Sequence, residues 1–148
     1  KYLPAAIEML RNQKLDVVIL SRYVKGSGQS GLSFMKTVTS MGAGIFLKLF
    51  FPIKGVMEYS CNYRVIRAGK LKEVIRRFGA DFIALPHLGF VAAPEILIKL
   101  HMIQAKIGES PFVLRYDQKQ TPSANQSLRT IRGYFALAAK YAFRRPKV

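Results

Sequence analysis

The run Asp16-Val-Val-Ile-Leu-Ser-Arg-Tyr23 constrains the fold of this chain more than any other. After Asp16 it is continuously apolar and rich in β-branched residues, and it is too short for an ordinary helix. That pattern predicts a central strand buried on both faces. The apolar run stops at Ser21-Arg22-Tyr23, so a hydroxyl, a guanidinium and a phenol emerge at the strand's end, where open α/β sheets hold their ligands. The segment that follows, Val24 to Gly31, is a loop whose glycines let backbone approach a ligand closely, and Lys25 adds a second cation. An anionic ligand is the expectation.

Charge bears on the same point. The 148 residues carry 24 Lys and Arg against 8 Asp and Glu, a net +16, which suggests a phosphorylated substrate, anionic lipid or nucleic acid nearby. Half of the residues are hydrophobic, enough for a folded domain. The single Cys61 excludes an internal disulfide and a multi-cysteine metal site. The longest apolar stretch, Met41 to Ile53, is broken by Lys48 and falls short of the roughly 20 residues of a spanning helix, so none is expected. No signal-peptide pattern opens the chain. It begins instead on a helix-like segment without an initiator Met, as an interior starting point would.

Taken in order, 2–13 is expected to be a helix with Leu3, Ile7 and Leu10 on its packed face. A helix over 33–51, with Ser33 as N-cap, carries Phe34, Met35, Val38, Met41, Ile45, Phe46, Leu49 and Phe50 at helical spacing. Its apolar face is expected to enter the core, with Gly42 and Gly44 for close packing. Lys36 and Ser40, four apart, share a helix face and could offer an ammonium and a hydroxyl to one phosphate. Tyr63 and Arg64 could form a strand edge or a substrate wall. Residues 68–78 predict a helix with Leu71, Val74, Ile75 and Phe78 inward, capped by Gly79. Residues 88–108 predict another helix, in which Glu95 lies among apolar neighbours. Glu95 is either the structural partner of an Arg or backbone group, or a catalytic carboxylate. A strand over 111–116 leads to the polar loop 117–125, where Lys119 could close over a charged ligand. A last helix over 127–143, with Ile131, Tyr134, Phe135, Ala138 and Tyr141 on one side and many Lys and Arg, suits either the sheet or an anionic membrane, where each cation adds about 1 kcal/mol. Neither His87 nor His101 has a companion at a spacing that suggests catalysis.

Asp16 to Tyr23, the glycine loop and the helix after it resemble the dolichol- and polyprenol-phosphate sugar transferases of glycosyltransferase family 2. Further segments follow in the family's order. Gly42-Ala43 is preceded by Lys36 and Ser40 where the family has an Arg or Lys and a Ser. Tyr59 to Ile66 is similar to a Thr-Ser-Gly-Phe-Arg segment, with Cys61 and Asn62 replacing Ser and Gly. Gly89-Phe90 and Glu95 to Lys99 match a helix of the family, and Tyr116, Asp117, Lys119 and Ser123 match a loop in which Thr121 and Ala124 depart from the usual Gly and Lys.

The resemblance implies an α/β chain, the C-terminal part of a GT-A, Rossmann-like nucleotide-diphospho-sugar transferase fold. Residues 1–125 would be the C-terminal portion of the catalytic domain and 126–148 a basic amphipathic helix and tail. The implied reaction is inverting, metal-dependent transfer of a sugar from a nucleotide-diphosphate sugar to a polyprenyl phosphate, on the cytoplasmic face of a membrane. Arg22, Lys36 and Ser40 would bind the acceptor phosphate, with Arg22 and Lys36 positioning it for catalysis, and Ser21, Tyr23, Lys119 and Ser123 would face the donor. The divalent cation, Mg2+ or Mn2+, would be held by an acidic motif upstream of Lys1, so the chain alone is expected to be inactive. Two other expectations stand beside this one: a related transferase acting on a glycan or glycolipid hydroxyl, which needs a carboxylate base, and a basic nucleic-acid- or membrane-binding module without catalysis. Dispersed basic residues and no nucleic-acid-binding signature argue against nucleic acid.

Overall fold

The computed structural model describes residues 1–88, 90–118 and 127–142, and these form a mixed α/β fold. Strand β1 (Val17–Ser21) is buried along its whole length and is the middle of a three-stranded sheet. It runs antiparallel to β3 (Arg64–Ile66) and parallel to β4 (Ile107–Pro111), pairing Val17 with Ile66 on one side and Ser21 with Pro111 on the other. Strand side chains alternate between faces. Val17 and Ile19 therefore enter the main core, while Val18 and Leu20 meet Ala6 and Leu10 of helix α1 (Leu3–Asn12). Leu3 and Ile7 stay exposed while Ala6 is buried beside Leu10, so α1 seats on the sheet rotated from the expected face.

The chain leaves β1 through a tight turn in which Ser27 donates to the Val24 carbonyl from both its amide and its hydroxyl. It then forms β2 (Gly28–Ser30), parallel to β5 (Val113–Arg115). Segment 107–115 thus pairs first with β1 and then with β2, and Phe112 at the junction donates its amide to the Ser21 carbonyl. Gly31, at φ +76°, is required here, because a Cβ would sit 2.5 Å from the Asp117 nitrogen.

Helix α2 (Phe34–Phe50) is where sequence and structure differ most. Ser33 stands at its N-terminus in extended conformation, without a side-chain cap. Only Leu47 of its residues is buried. The stripe Phe34, Val38, Met41, Ile45 and Leu49 points outward, with Phe34 79% and Leu49 76% exposed. Periodicity identifies an apolar face but not which way it turns. A Cβ on Gly42 would meet nothing within 4 Å and one on Gly44 only the Met57 carbonyl at 4.0 Å, so neither position requires glycine for close packing.

Helix α3 (Ala68–Phe78) buries Val74, leaves Ile75 exposed and ends at Gly79 with φ +53°, followed by a 3-10 turn over Gly79–Ile83. Helix α4 (Ala92–Met102) is shorter than the expected 88–108, because 107–111 is drawn into the sheet as β4. The alternation in Ile-Gly-Glu-Ser is weak, and the strand exists through its pairing with β1. Helix α5 (Ser127–Tyr141) buries Tyr134, Leu137, Ala138 and Tyr141 and leaves Ile131 and Phe135 out, so its buried stripe is rotated from the expected one. It lies beside α2, with the Phe135 ring edge-on to Phe46 at 5.0 Å. Among the described residues no helix is long and apolar enough to cross a membrane.

Candidate anion-binding site

Residue 22 is the first after β1, and strand alternation with a fully buried Ser21 brings Arg22 out at the tip of the sheet. Ser21 itself is engaged locally, its Oγ accepting the Tyr23 amide at 3.2 Å. Arg22 does not reach into open solvent, since its side chain is only 9% exposed. Its Nε donates to Glu58 Oε2 at 2.8 Å and its Nη2 to Glu58 Oε1 at 3.3 Å, a two-pronged pairing that fits the guanidinium fork. Nη2 also reaches Ser40 Oγ at 3.3 Å and Ser60 Oγ at 3.4 Å. Burial alone would lower the Arg22 pKa, but Glu58 more than offsets it and the net displacement is upward, so the side chain is permanently cationic. The guanidinium also lies over the Tyr23 ring, 5.2 Å from its centroid.

Glu58 is held from several directions. Its Oε1 accepts from the Ser60 amide at 3.1 Å, the Ser60 hydroxyl at 2.8 Å and the Cys61 amide at 3.1 Å. The loop bearing it is tied to the sheet, because Glu109 on β4 accepts the Met57 and Glu58 amides at 2.8 and 2.6 Å. Sequence reasoning missed Glu58 and Ser60. The available signal was composition: a carboxylate inside the basic, apolar stretch 54–67 is one of only eight acidic residues in a +16 chain, and such a group is placed to hold a cation.

Of the expected site residues, the structure brings Arg22 and Ser40 into contact. Lys36 lies one turn before Ser40 on α2 and is exposed, and its ammonium is 5.1 Å from the centre of the Tyr116 ring. Lys119 and Ser123 lie outside the described residues. Arg64 is bound into the fold: Nη1 donates to the Ala93 carbonyl at 2.7 Å, Nη2 to the Tyr59 carbonyl at 2.9 Å, and burial pulls its pKa down to about 10. Tyr63 stands at the surface, edge-on to Phe112.

Glu95 sits apart, fully buried. It accepts from Lys99 at 2.7 Å, the Tyr141 hydroxyl at 2.8 Å and the Ala84 and Leu85 amides. Burial would raise its carboxyl; those hydrogen bonds, led by Lys99, hold it below the ordinary range. Lys99 is depressed by burial despite Glu95, and it also donates to the carbonyls of Asp81 and Phe82.

Among the described residues no three His, Cys, Asp or Glu side chains converge as metal ligands. Glu58 is committed to Arg22, and Glu109 accepts two amides on Oε1 while its buried Oε2 has no hydrogen-bond partner among the described residues. No protein-family model matches the chain.

Proposed function

We propose that this chain forms the acceptor side of a glycosyltransferase that moves a sugar from a nucleotide-diphosphate sugar to a polyprenyl phosphate at a membrane surface, as the C-terminal part of a GT-A fold. One observation carries the reading. Helix α2 turns Ser40 inward to Arg22 while turning an apolar stripe outward, so a guanidinium and a hydroxyl suited to an anion lie on the opposite side of the helix from a face suited to lipid. Alongside, Leu128, Ile131 and Phe135 of α5 extend the exposed apolar surface, and Lys48, Arg129 and Arg132 border it with positive charge. An apolar face rimmed by cations is the pattern of a helix lying in the interface of an anionic bilayer. The protein would then sit peripherally, on the cytoplasmic leaflet.

The chemistry asked of the site is modest in proton transfer and demanding in electrostatics. A phosphate monoester is already anionic at neutral pH and needs little from a general base. The site must hold it against the repulsion of the donor diphosphate, in line with the anomeric carbon, so that direct displacement inverts the configuration. Arg22 and Ser40 would bind the acceptor phosphate, with Lys36 adding charge from the same side of α2. Tyr23, with Lys119 and Ser123, is the candidate for the donor side, and Ser21 acts through the turn it stabilises. A divalent cation, supplied from outside this chain, would neutralise the departing diphosphate. Glu95 belongs on this reading to the core rather than to the chemistry.

The test is transfer of radiolabel from nucleotide sugars by the full gene product, with a detergent-solubilised polyprenyl phosphate or a glycan as acceptor. Label in the lipid phosphate supports the reading. Label in the glycan alone removes it.

A further inference from the structure

A guanidinium has two edges on which an oxyanion can sit, one formed by Nε with Nη2 and the other by Nη1 with Nη2. In Arg22 the first is filled by Glu58. Nη1 makes no hydrogen bond among the described residues, and Nη2 points its remaining proton towards Ser40 and Ser60. We infer that Glu58 is a positioning residue, which keeps the Nε edge of Arg22 in the liganded protein and so presents the Nη1/Nη2 edge, flanked by two hydroxyls, to the incoming phosphate. The inference rests on the reading of Arg22 as a ligand of the acceptor phosphate.

The alternative is that Glu58 occupies the anion's place and is expelled when it arrives. Three features oppose expulsion. The Glu58 side chain is 1% exposed, so freeing it from Arg22 would strand a carboxylate away from water. Its Oε1 also accepts two amides and a hydroxyl, none of which an arriving phosphate would satisfy in its stead. Its own amide is held by Glu109, so the loop cannot swing away without breaking that anchor as well. A long side chain fixed on one edge loses little further freedom when the other edge binds, and that is where the gain in affinity arises.

The experiment titrates this chain with farnesyl phosphate, using farnesol and inorganic phosphate as references, by calorimetry and by the NMR signal of the Arg22 Nε–H. The expected result is that the Nε–H resonance persists at saturation with a small shift. Glu58→Ala is expected to weaken farnesyl phosphate binding about tenfold or more, and Ser60→Ala, which leaves the carboxylate in place, about threefold. Should Glu58→Ala fail to fold, Ser60→Ala and the wild-type resonance decide. Loss of the hydrogen-bonded Nε–H signal on saturation, or a folded Glu58→Ala that binds as tightly as wild type or more so, overturns the inference and leaves the functional reading standing. A wild-type chain that binds no farnesyl phosphate overturns both.

Discussion

Two ion pairs removed from water differ in what they leave over. In the core, Lys99 donates to Glu95 and to two backbone carbonyls, so its three protons are used, and Glu95 accepts from four donors. At the strand tip, Arg22 gives one edge to Glu58 and keeps the other beside two hydroxyls. Burial and charge are common to both; among the described residues only the second leaves a donor, Arg22 Nη1, without a hydrogen bond. Spare hydrogen-bonding capacity, rather than burial of charge, is what marks a candidate site.

The largest effect expected from this contrast lies in the core. Glu95→Ala strands Lys99 and should cost about 3–5 kcal/mol in denaturant unfolding, whereas Glu95→Leu with Lys99→Met should recover most of it. Because the folded carboxyl of Glu95 is depressed, its contribution should be complete above the ordinary glutamate range, about 4.3, and fade as pH falls below it. A pair that tolerated Glu95→Ala would erase the contrast. Next comes the outward apolar stripe of α2. Ile45→Glu with Leu49→Glu should lower binding to anionic vesicles about a hundredfold, since each side chain contributes on the order of 1.5 kcal/mol or more when buried. Unfolding stability should barely change, because Ile45 is 67% exposed and Leu49 76%. At the tip, Arg22→Lys keeps the charge but has no second edge, and farnesyl phosphate affinity should fall about tenfold with only a small loss of stability. Lys36→Ala should be weakest, about two- to threefold in affinity, and its effect should vanish in high salt.

Much of the scaffold was legible in the amino-acid sequence, for identifiable reasons. Val17 to Leu20 could be little other than a buried strand, and 68–78 and Gly79 carry the helix pattern with its stop. What could not be read was orientation. Leu10 of α1 and Ile45 of α2 occupy equally regular apolar stripes, yet one seats on the sheet and the other faces away from it. Spacing reports that a stripe exists, and only the tertiary partners decide what it meets. Of the candidate site, half of the contacting residues were legible. Arg22 and Ser40 were found because a strand end and a shared helix face are local features, whereas Glu58 is 36 residues from Arg22 and nothing local ties them. Likewise β4 was hidden, because its strand character comes from β1, some 90 residues earlier in the chain.

The claim on which the account depends is that α2 joins a lipid-facing stripe to a phosphate site. Binding of this chain to phosphatidylserine vesicles, with and without a few per cent of undecaprenyl phosphate at matched surface charge, addresses it directly. The account predicts tighter binding when the polyprenyl phosphate is present, with that gain lost in Arg22→Lys while attachment to the vesicles remains. Equal affinity for the two kinds of vesicle, or an undiminished gain in Arg22→Lys, would contradict it.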